Sequence, residues 1–405
     1  MAKKETVEPK AEKIEPKKPK FNFKNFNAAA NLVQTMFEKA EADNPIVPIS
    51  ASEFKESVPH VSTGSFALDY LIGGEPNSFG VRPCPGWPLG RVINIYGQES
   101  SGKTTLALMA CAQMHKQNLP VVYIDWEHAI AIDYARSLGV QVDNKDLFHL
   151  YQPDTLEDGI KIAFIYAGLG IPLLVFDSVG FAVPSAEAEK AVSDIGEKAA
   201  RPGLIASIWS RELPKLAVDI SKHSTLLIAI SQLRSSINAG GMGPADTVQG
   251  GNSWKFTSTV RIRLKKKMEE KEARFNPLKG LSEEMSVAVE IEAKIDKNKI
   301  APTQGRRLSY FITFGEGVDN FRTALDLLIK NKKVEKKSAR HLWVAPDGKQ
   351  IVGMGKKKFR ELIQAGGYME QFVGEASMIL GSTVTIDPSE DLESNEEDEA
   401  ISALE

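Results

Sequence analysis

Cysteine is scarce in this chain, and no cluster of metal-binding residues stands out. The 405 residues include two cysteines and six histidines, and Cys84 and Cys111 form no CxxC pair. A disulfide framework or a zinc site needs several such residues at short spacing. The sequence therefore argues against both and favours a reducing compartment.

Long apolar runs are also missing. No stretch approaches the roughly 18 apolar residues that a membrane-spanning helix needs. The lysine-rich start of the chain lacks the apolar segment and cleavage site of a secretory signal. We expect a cytoplasmic location and no membrane partner. The hydrophobic content of 42% is ordinary for a globular protein and allows one large domain plus a smaller one.

The net charge of −3 conceals an uneven distribution of charge. Residues 1–24 are rich in lysine, glutamate and proline, whereas residues 387–405 carry nine acidic residues and no basic one. Such compositions cannot bury a core, so we expect both tails to be disordered. Between residues 318 and 386 the chain is basic.

One glycine-rich stretch has the pattern G-x-x-x-x-G-K-T. It lies between a β-prone run at 91–96 and a helix-like run at 105–116, which is the context that a phosphate-binding P-loop requires. Its glycines let backbone N–H groups face phosphate oxygens, its lysine can reach the β- and γ-phosphates, and its threonine can ligate Mg²⁺. We therefore predict that a nucleoside triphosphate and Mg²⁺ bind here. The predicted nucleotide-binding residues of this stretch are Gly97, Gln98, Glu99, Ser100, Ser101, Gly102, Lys103, Thr104 and Thr105.

Short apolar runs alternate with helical patterns after the P-loop. Runs at 120–125, 147–151, 172–177 and 225–231 read as buried strands, with helical patterns between them. This alternation predicts an α/β fold with a mostly parallel, helix-covered sheet. Beyond residue 254 the strand-like runs at 256–265, 286–297 and 308–314 have little helix between them, so we expect antiparallel strands that extend the sheet.

Polar residues follow three of the predicted parallel strands. Glu127, Asp177, Ser178 and Gln232 all stand at strand ends, where α/β sheets bind ligands. Asp177 fits an acid that holds Mg²⁺ beside Thr104. Glu127 is the candidate general base, and Gln232 is a candidate sensor of the γ-phosphate. Taken alone, Glu127 could equally be a surface residue.

Two long polar stretches, 187–202 and 233–249, leave the same strand ends. Long connections in a compact domain are usually functional or disordered. Small residues with sparse basic ones suit contact with a nucleic-acid backbone, but mobile surface loops explain them equally well. Ahead of the core, a helical pattern at 26–42 and an extended piece at 46–49 could pack on their own core or on a neighbouring subunit.

At this point the motifs together resemble those of the bacterial RecA family of ATP-dependent DNA strand-exchange recombinases. The likeness covers roughly residues 60–317, in order and approximate spacing. It is carried by the stretches STGS at 62–65, IYGQESSGKTT at 95–105, IDWEHA at 124–129, YAR at 134–136, QPDT at 152–155, FDSV at 176–179, QLR at 232–234, GGN at 250–252, KF at 255–256 and KNKIA at 297–301.

The resemblance implies roles in nucleotide binding and catalysis. Glu127 would be the catalytic base, assisted by Lys103 and Gln232, and Thr104 and Asp177 would hold the metal. Tyr134 would stack on adenine, and Ser178 would join the nucleotide site. Lys297 and Lys299 would reach across a subunit interface to the neighbour's ATP.

The resemblance also implies DNA contacts and assembly. Single-stranded DNA would bind at two stretches, 187–202 and 233–249. The residues implied there are Arg201, Arg234, Ile237, Gly250, Gly251 and Asn252. Protomers would form a homo-oligomeric helical filament, because a head-to-tail interface that does not close generates a helix.

The resulting division of the chain has five parts. We expect a disordered tail at 1–24, a helix-strand polymerisation arm at 25–60, a RecA-like ATPase core at 61–317, a basic α+β C-terminal domain at 318–386 that captures double-stranded DNA, and a disordered acidic tail at 387–405. Three features depart from the family pattern: Trp126, Ala131 and the long segment 75–89, which we expect to be a loop at the surface.

Two other functions are compatible with a P-loop. A hexameric helicase or translocase of the same fold would also place ATP between subunits, but it would form closed rings. A P-loop kinase or other ATP switch would be a monomer indifferent to DNA. The helix-strand arm and the KNKIA stretch favour the recombinase over the helicase, and the glycine-rich stretch after Gln232 favours it over the kinase.

Overall fold

The computed structural model describes residues 58–76, 82–188, 203–235, 246–276 and 281–383. The two predicted tails, the helix-strand arm as far as residue 57, and most of both predicted DNA-binding stretches therefore lie outside the described residues. None of the helices in the described ranges is long and apolar enough to cross a membrane.

Strands and helices alternate through the first half of this part of the chain. The strands are β1 (His60–Val61), β2 (Trp87–Pro88), β3 (Val92–Gly97), β4 (Val121–Asp125), β5 (Phe148–Tyr151), β6 (Leu173–Asp177), β7 (Leu226–Ser235), β8 (Asp246–Val248), β9 (Val260–Asn276), β10 (Leu281–Asn298), β11 (Arg307–Thr313), β12 (Gly317–Val318), β13 (Val334–Lys337), β14 (Arg340–Val344) and β15 (Gln350–Met354). The helices are α1 (Phe66–Gly73), α2 (Lys103–Lys116), α3 (Ile132–Ser137), α4 (Leu156–Gly168), α5 (Ser185–Ala188), α6 (Leu204–Lys222), α7 (Ser253–Thr257), α8 (Asn320–Lys330), α9 (Gly355–Ala365) and α10 (Met369–Thr383).

One large sheet organises the molecule. Its strand order is β12-β11-β10-β9-β3-β7-β6-β4-β5, with β8 paired to β7. The six strands from β9 to β5 are mutually parallel, whereas β10, β11 and β12 run antiparallel to their neighbours. This arrangement confirms the predicted α/β fold. The antiparallel extension begins one strand later than expected, because β9 still pairs parallel with β3.

Helices cover both faces of the parallel strands and create two apolar cores. On one face α2 packs on β3 through an aliphatic core that includes Leu106, Leu108 and Ile95. On the other face α4, α6 and α7 enclose a core that contains three tryptophans, Trp126, Trp209 and Trp254. Burial on both faces explains why the parallel strands read as continuous apolar runs.

The basic C-terminal part has an apolar cluster of its own. A three-stranded antiparallel sheet, β13-β14-β15, packs with α8, α9 and α10 around Trp343, Phe359 and Phe372. The presence of this cluster agrees with a small C-terminal unit, although the exact domain boundary stays a prediction.

The segment 75–89 differs from the expected surface loop. Residues 82–89 are described, and Cys84 and Trp87 are fully buried. Trp87 pairs with Val61 in a two-stranded sheet, and Gly86 lies so close to that strand that a Cβ would come within 2.4 Å of the Val61 carbonyl oxygen. The proline and glycine content therefore indicates a tight approach of two backbones rather than a surface excursion.

A candidate ATP site at the edge of the sheet

The P-loop lies where β3 ends and α2 begins. Gly97 closes the strand, and a Cβ there would lie 2.3 Å from the Leu264 carbonyl oxygen of β9, so only glycine fits. Gly102 has a φ of 85° immediately before α2, in the left-handed region that glycine tolerates. The turn delivers the amino terminus of α2, with its unpaired N–H groups, to the same edge.

The ammonium group of Lys103 lies inside this turn. Its Nζ donates to the carbonyl oxygen of Gln98 at 2.7 Å and to that of Gly97 at 3.1 Å. Burial lowers the pKa of Lys103, and the negative charges of Asp177, Glu127 and Glu99 oppose that shift. The hydrogen-bond acceptors of this ammonium group are neutral carbonyl oxygens, so its positive charge is suited to an anionic ligand such as a triphosphate.

Asp177 and Thr104 form the predicted metal pair. The Thr104 hydroxyl donates to Asp177 Oδ2 at 2.9 Å, and the Tyr123 hydroxyl donates to the same oxygen at 2.6 Å. Burial raises the pKa of Asp177 to about 6, although these two hydrogen bonds act in the opposite direction. Mg²⁺ usually takes one or two protein oxygens and fills its shell with phosphates and water. A hydroxyl and a carboxylate in direct contact, beside the P-loop, fit that requirement.

Glu127 is held at the end of β4 by two neighbouring strands. Gln232 Nε2 donates to Glu127 Oε1 at 2.8 Å, and the Ser178 hydroxyl donates to the same oxygen. The structure thus brings together three of the strand-end residues that the sequence singled out. Both of these bonds go to one carboxylate oxygen, so they fix the orientation of Glu127 as a general base requires.

Asp125 organises the turn that carries Glu127, and the sequence reasoning missed it. Its carboxylate accepts the backbone N–H of Glu127 at 3.1 Å, the N–H of Ile130 at 3.2 Å and the side-chain amide of Gln152 at 2.9 Å. The signal was present, because an aspartate that ends an apolar strand run is unusual unless its carboxylate is satisfied locally.

A cavity of about 360 Å³ opens between these residues. Its polar wall contains the P-loop, Glu127, Asp177 and Gln232, and Tyr134 stands at its edge with its hydroxyl 3.0 Å from Thr105 Oγ1. An apolar wall formed by Ile230, Val289, Ile312 and Phe314 was not predicted. Two of the three strands that carry this wall, β10 and β11, belong to the antiparallel extension, so the sheet itself closes the pocket.

Lys297 and Lys299 lie away from this cavity. Lys297 stands opposite Arg261, and Arg261 stands opposite Asn94, three residues before Gly97 on β3. At about 3.3 Å per residue, the separation along the strand is about 10 Å. The Lys297 ammonium donates to the carbonyl oxygens of Lys255 and Phe256 at 2.7 and 2.8 Å. It is therefore on the α7 face of the sheet, opposite α2.

The predicted DNA-binding residues are only partly described. Arg201 and Ile237 lie outside the described residues. Arg234 belongs to β7, where it pairs with Thr247 of β8. Gly250 and Gly251 have φ angles of 95° and 86°, and Asn252 directly precedes α7. The two glycines make the turn that returns the chain to the core beside Val179 and Ala206.

Two residues after β4 differ from the family pattern, and neither of them faces the cavity. Trp126 is buried in the tryptophan-containing core, and its Nε1 donates to the carbonyl oxygen of Thr155 at 3.1 Å. Ala131 is exposed immediately before α3. Neither residue contributes to the cavity lining.

This chain is similar in sequence to known proteins. The family model described as the RecA N-terminal domain matches residues 25–319. The proteins named RecA of Francisella tularensis subspecies novicida (strain U112) and subspecies tularensis (strain WY96-3418) are each 35% identical over 334 residues, which cover 82% of this chain and 83% of theirs. A crystal structure of the RadB recombinase aligns with 64% of this chain and 98% of its own, at 22% identity and a TM-score of 0.43.

Proposed function

The chain belongs to the RecA family, and from this premise we propose that it is an ATP-dependent DNA recombinase. In this proposal, protomers bind ATP and Mg²⁺, assemble as a helical filament on single-stranded DNA, pair that strand with a homologous duplex and exchange strands. Hydrolysis of ATP then loosens the filament.

The pocket supplies what phosphoryl transfer to water requires. Lys103 and the P-loop N–H groups would neutralise the phosphates, and Thr104 with Asp177 would hold Mg²⁺. When bound, the metal supplies charge neutralisation at the β- and γ-phosphates. Glu127 would orient an attacking water and accept its proton, and Tyr134 at the cavity edge is placed to contact a base.

The hydrogen bond between Gln232 and Glu127 is the observation that carries the proposal. Gln232 belongs to β7, which continues through Ser235 to the predicted second DNA-binding stretch. The chain returns as β8, whose residues pair with Leu233, Arg234 and Ser235. One rigid strand thus joins the candidate base to the segment predicted to touch DNA, with Arg234, Ile237, Gly250, Gly251 and Asn252 in or beside it. A shift of that segment would directly move Gln232, which donates a hydrogen bond to Glu127.

The position of Lys297 supports assembly through the nucleotide site. Because Lys297 is bonded to carbonyl oxygens of α7 and neither it nor Lys299 lines the cavity of its own chain, we infer that their predicted contact with ATP is made in another protomer. If a neighbouring protomer completes each site, nucleotide binding and polymerisation are coupled. A head-to-tail interface of this kind gives an open helix unless the protomers close into a ring.

The C-terminal unit offers a surface for the duplex. Exposed basic residues cluster on its small sheet and on α9: Lys336, Lys337, Arg340, Lys349, Lys357 and Lys358. Lysines and arginines that neutralise phosphates give affinity without sequence preference. Capture of double-stranded DNA by this unit, and inhibition of that capture by the acidic tail at 387–405, remain proposals that rest on charge and family resemblance.

Two assays on the same samples test the proposal. ATP hydrolysis is measured with and without single-stranded DNA, and the samples are then imaged by electron microscopy. Strong stimulation by DNA together with open helical filaments is the expected result, and transfer of a strand from a linear duplex to a circular single strand would complete it. Closed rings that unwind duplexes would favour a helicase, and DNA-independent turnover by monomers would favour an ATP switch.

A further inference from the structure

Three of the five tryptophans meet in one fully packed cluster behind the candidate site. Together with Phe176, the rings of Trp126, Trp209 and Trp254 form what we call the tryptophan cluster. Ring centroids are 4.9 Å apart for Trp209 and Trp254, 5.2 Å for Trp126 and Phe176, and 6.1 Å for Trp126 and Trp209. All four side chains are at least 96% buried.

Each ring is attached to a segment with a predicted role. Trp126 precedes the candidate base Glu127, and Phe176 precedes the candidate metal ligand Asp177. Trp209 lies on α6, which begins just after the first predicted DNA-binding stretch, at residue 204. Trp254 lies on α7, two residues after Asn252. The cluster therefore joins residues next to Glu127 and Asp177 with residues on the two helices, α6 and α7, that follow the predicted DNA-binding stretches.

Hydrogen bonds fasten Trp209 through its indole, and Trp126 through its backbone, to residues at or just beyond the end of β6. The Trp209 Nε1 donates to the carbonyl oxygen of Val179 at 3.1 Å, and the Trp126 backbone N–H donates to the carbonyl oxygen of Asp177 at 2.8 Å. Within the described part of the chain, the Trp254 Nε1 has no hydrogen-bond partner. The indole ring of Trp254 is consequently held by packing, although it is fully buried.

The packing around the cluster leaves little room for independent movement. A Cβ at Gly159 would lie 2.1 Å from the Trp126 ring, and a Cβ at Gly250 would lie 3.0 Å from the Trp254 ring and 2.9 Å from Val179. Densely packed interiors have few intermediate arrangements and transmit displacement from one side chain to the next. A movement of the Gly250–Asn252 turn thus presses on Trp254, then on Trp209 and Phe176.

We propose that the tryptophan cluster is a positioning element that couples the second DNA-binding stretch to Glu127. This inference rests on the proposed function and adds a second connection to the one through Gln232. In this arrangement Trp254 senses the turn at Gly250–Asn252, and Trp126 sets the position of the adjacent Glu127 backbone. Neither tryptophan lines the ATP cavity, so both act through their neighbours.

The test compares Trp254→Phe with Trp87→Phe in the full-length protein. Trp87 is the matched control, because it is equally buried and its indole N–H also lacks a partner among the described residues, yet it lies outside both the cavity lining and the cluster. We measure kcat and KM for ATP with and without a thymidine oligonucleotide. Trp254→Phe should reduce the ratio of DNA-stimulated to basal kcat about fivefold or more, a usual size for coupling between sites, without raising KM. Trp87→Phe should retain that ratio.

Tryptophan fluorescence supplies a readout that a purely structural role would not move. The oligonucleotide should change the emission of the wild type and of Trp87→Phe, and most of that change should be lost in Trp254→Phe. A double variant, Trp126→Phe with Trp254→Phe, should lose less than the product of the single effects, because both act along one connection. If Trp254→Phe melts too early to assay, Trp209→Phe tests the same junction.

The outcomes separate the two proposals. Wild-type turnover that DNA does not stimulate would refute the proposed recombinase and the coupling role together. Full stimulation in the wild type that survives in Trp254→Phe, or independent effects in the double variant, would refute the cluster alone and leave the recombinase standing.

Discussion

Two polar regions, one at the carboxyl edge of the parallel strands and one on the α7 face of the sheet, differ in how their charges are compensated. At the carboxyl edge of the parallel strands, Lys103 lies among carboxylates, and the side chains of Asp177 and Glu127 each accept two hydrogen bonds. On the α7 face, Arg261, Lys297 and Lys299 form a cationic cluster. Burial, and to a smaller extent the like charges of Lys299 and Arg261, lowers the pKa of Lys297 to about 8.

The cationic cluster is partly compensated by dipoles and aromatic surface. Arg261 donates to Asn94 at 3.3 Å and lies 4.6 Å from the centre of the Tyr96 ring, while burial lowers its pKa to about 10. Lys297 is bound to two carbonyl oxygens rather than to a carboxylate. The comparison teaches that the charges of the pocket are balanced by one another, whereas those of the cationic cluster are balanced by dipoles and an aromatic ring.

The most far-reaching effect is expected when the positive charge of the pocket itself is removed, because weaker ATP binding also impairs turnover and assembly. Lys103→Ala would leave the triphosphate without its buried cation, and loss of one partner of a desolvated, charge-assisted contact costs about 2–5 kcal/mol, or roughly 30-fold to more than 1,000-fold in affinity. Titration with a fluorescent ATP analogue measures this. Lys116→Ala at the exposed end of the same helix is the control and should bind like the wild type. Equal affinity for Lys103→Ala and the wild type would contradict the assignment.

The second prediction concerns Glu127→Gln, a variant that should lose ATP hydrolysis but keep ATP binding. Glu127→Gln keeps a side-chain oxygen that can accept from Gln232 and Ser178, but it removes the base, so we expect kcat to fall by about 10²–10⁴-fold. ATP binding and filament assembly should persist, as seen in the same titration and by electron microscopy. Turnover at the wild-type rate on single-stranded DNA would show that another group is the base.

A smaller effect tests whether the cationic cluster serves a second protomer. We expect Lys297→Ala to reduce DNA-stimulated turnover about tenfold, in the range of coupling between sites. Mixing this variant with Lys103→Ala distinguishes the two regions, because a protomer with an intact pocket and one with an intact cluster can form a working interface. Lys271→Ala, an exposed lysine of β9, is the control. Failure of every mixture to recover activity would argue that Lys297 acts within its own chain.

The pH dependence of assembly should follow the same lysine. Because the pKa of Lys297 is about 8, its charge is largely present at pH 7 and declines as the pH rises toward 9. DNA-stimulated turnover should decline over that interval if the charge reaches a neighbour. Lys297→Arg keeps its charge at every pH used and should remove the decline. An unchanged decline in Lys297→Arg would assign the titration to another group.

The smallest effect concerns a residue that belongs to neither region. His115 is buried in α2, where its Nε2 is 3.0 Å from the Leu147 carbonyl oxygen and its Nδ1 accepts the Gln141 N–H at 3.0 Å. Burial lowers its pKa in the folded state. The unfolded chain therefore takes up the proton first as the pH falls below about 6.5, and the free energy of unfolding should decrease by at most about 1.4 kcal/mol per pH unit. The contribution of His115 to the free energy of unfolding is fully present above the pKa that His115 has in the unfolded chain. It is lost as the pH falls through the lower pKa that His115 has in the folded protein.

Urea denaturation of the wild type and His115→Gln at several pH values between 5 and 7 measures this contribution. The variant should be less stable near pH 7 and should show a shallower pH dependence. A parallel dependence in the two proteins would show that His115 does not titrate in this range.

Much of the candidate site could be predicted because its signals are local. The P-loop depends on Gly97 and Gly102 at fixed spacing beside a strand and a helix, and the ends of β4, β6 and β7 follow directly from apolar runs. The position of Trp126 could not be predicted in this way, since a side chain after a strand can turn to either face. The buried segment around Trp87 was misread for a similar reason, because proline and glycine mark a turn but do not say what packs over it.

By itself, the sequence determined the class of fold, the phosphate-binding turn and the order of its strand-end residues, because backbone propensity and hydrophobic period act over a few neighbouring positions. Only the tertiary structure decided which strands lie side by side. The pairing of strands brings Gln232 and Ser178 to Glu127 and places the apolar wall of β10 and β11 on the pocket. It also places Lys297 on the α7 face of the sheet. The physical reason is that strand pairing and core packing join residues 50 to more than 100 positions apart, where no local pattern carries the information.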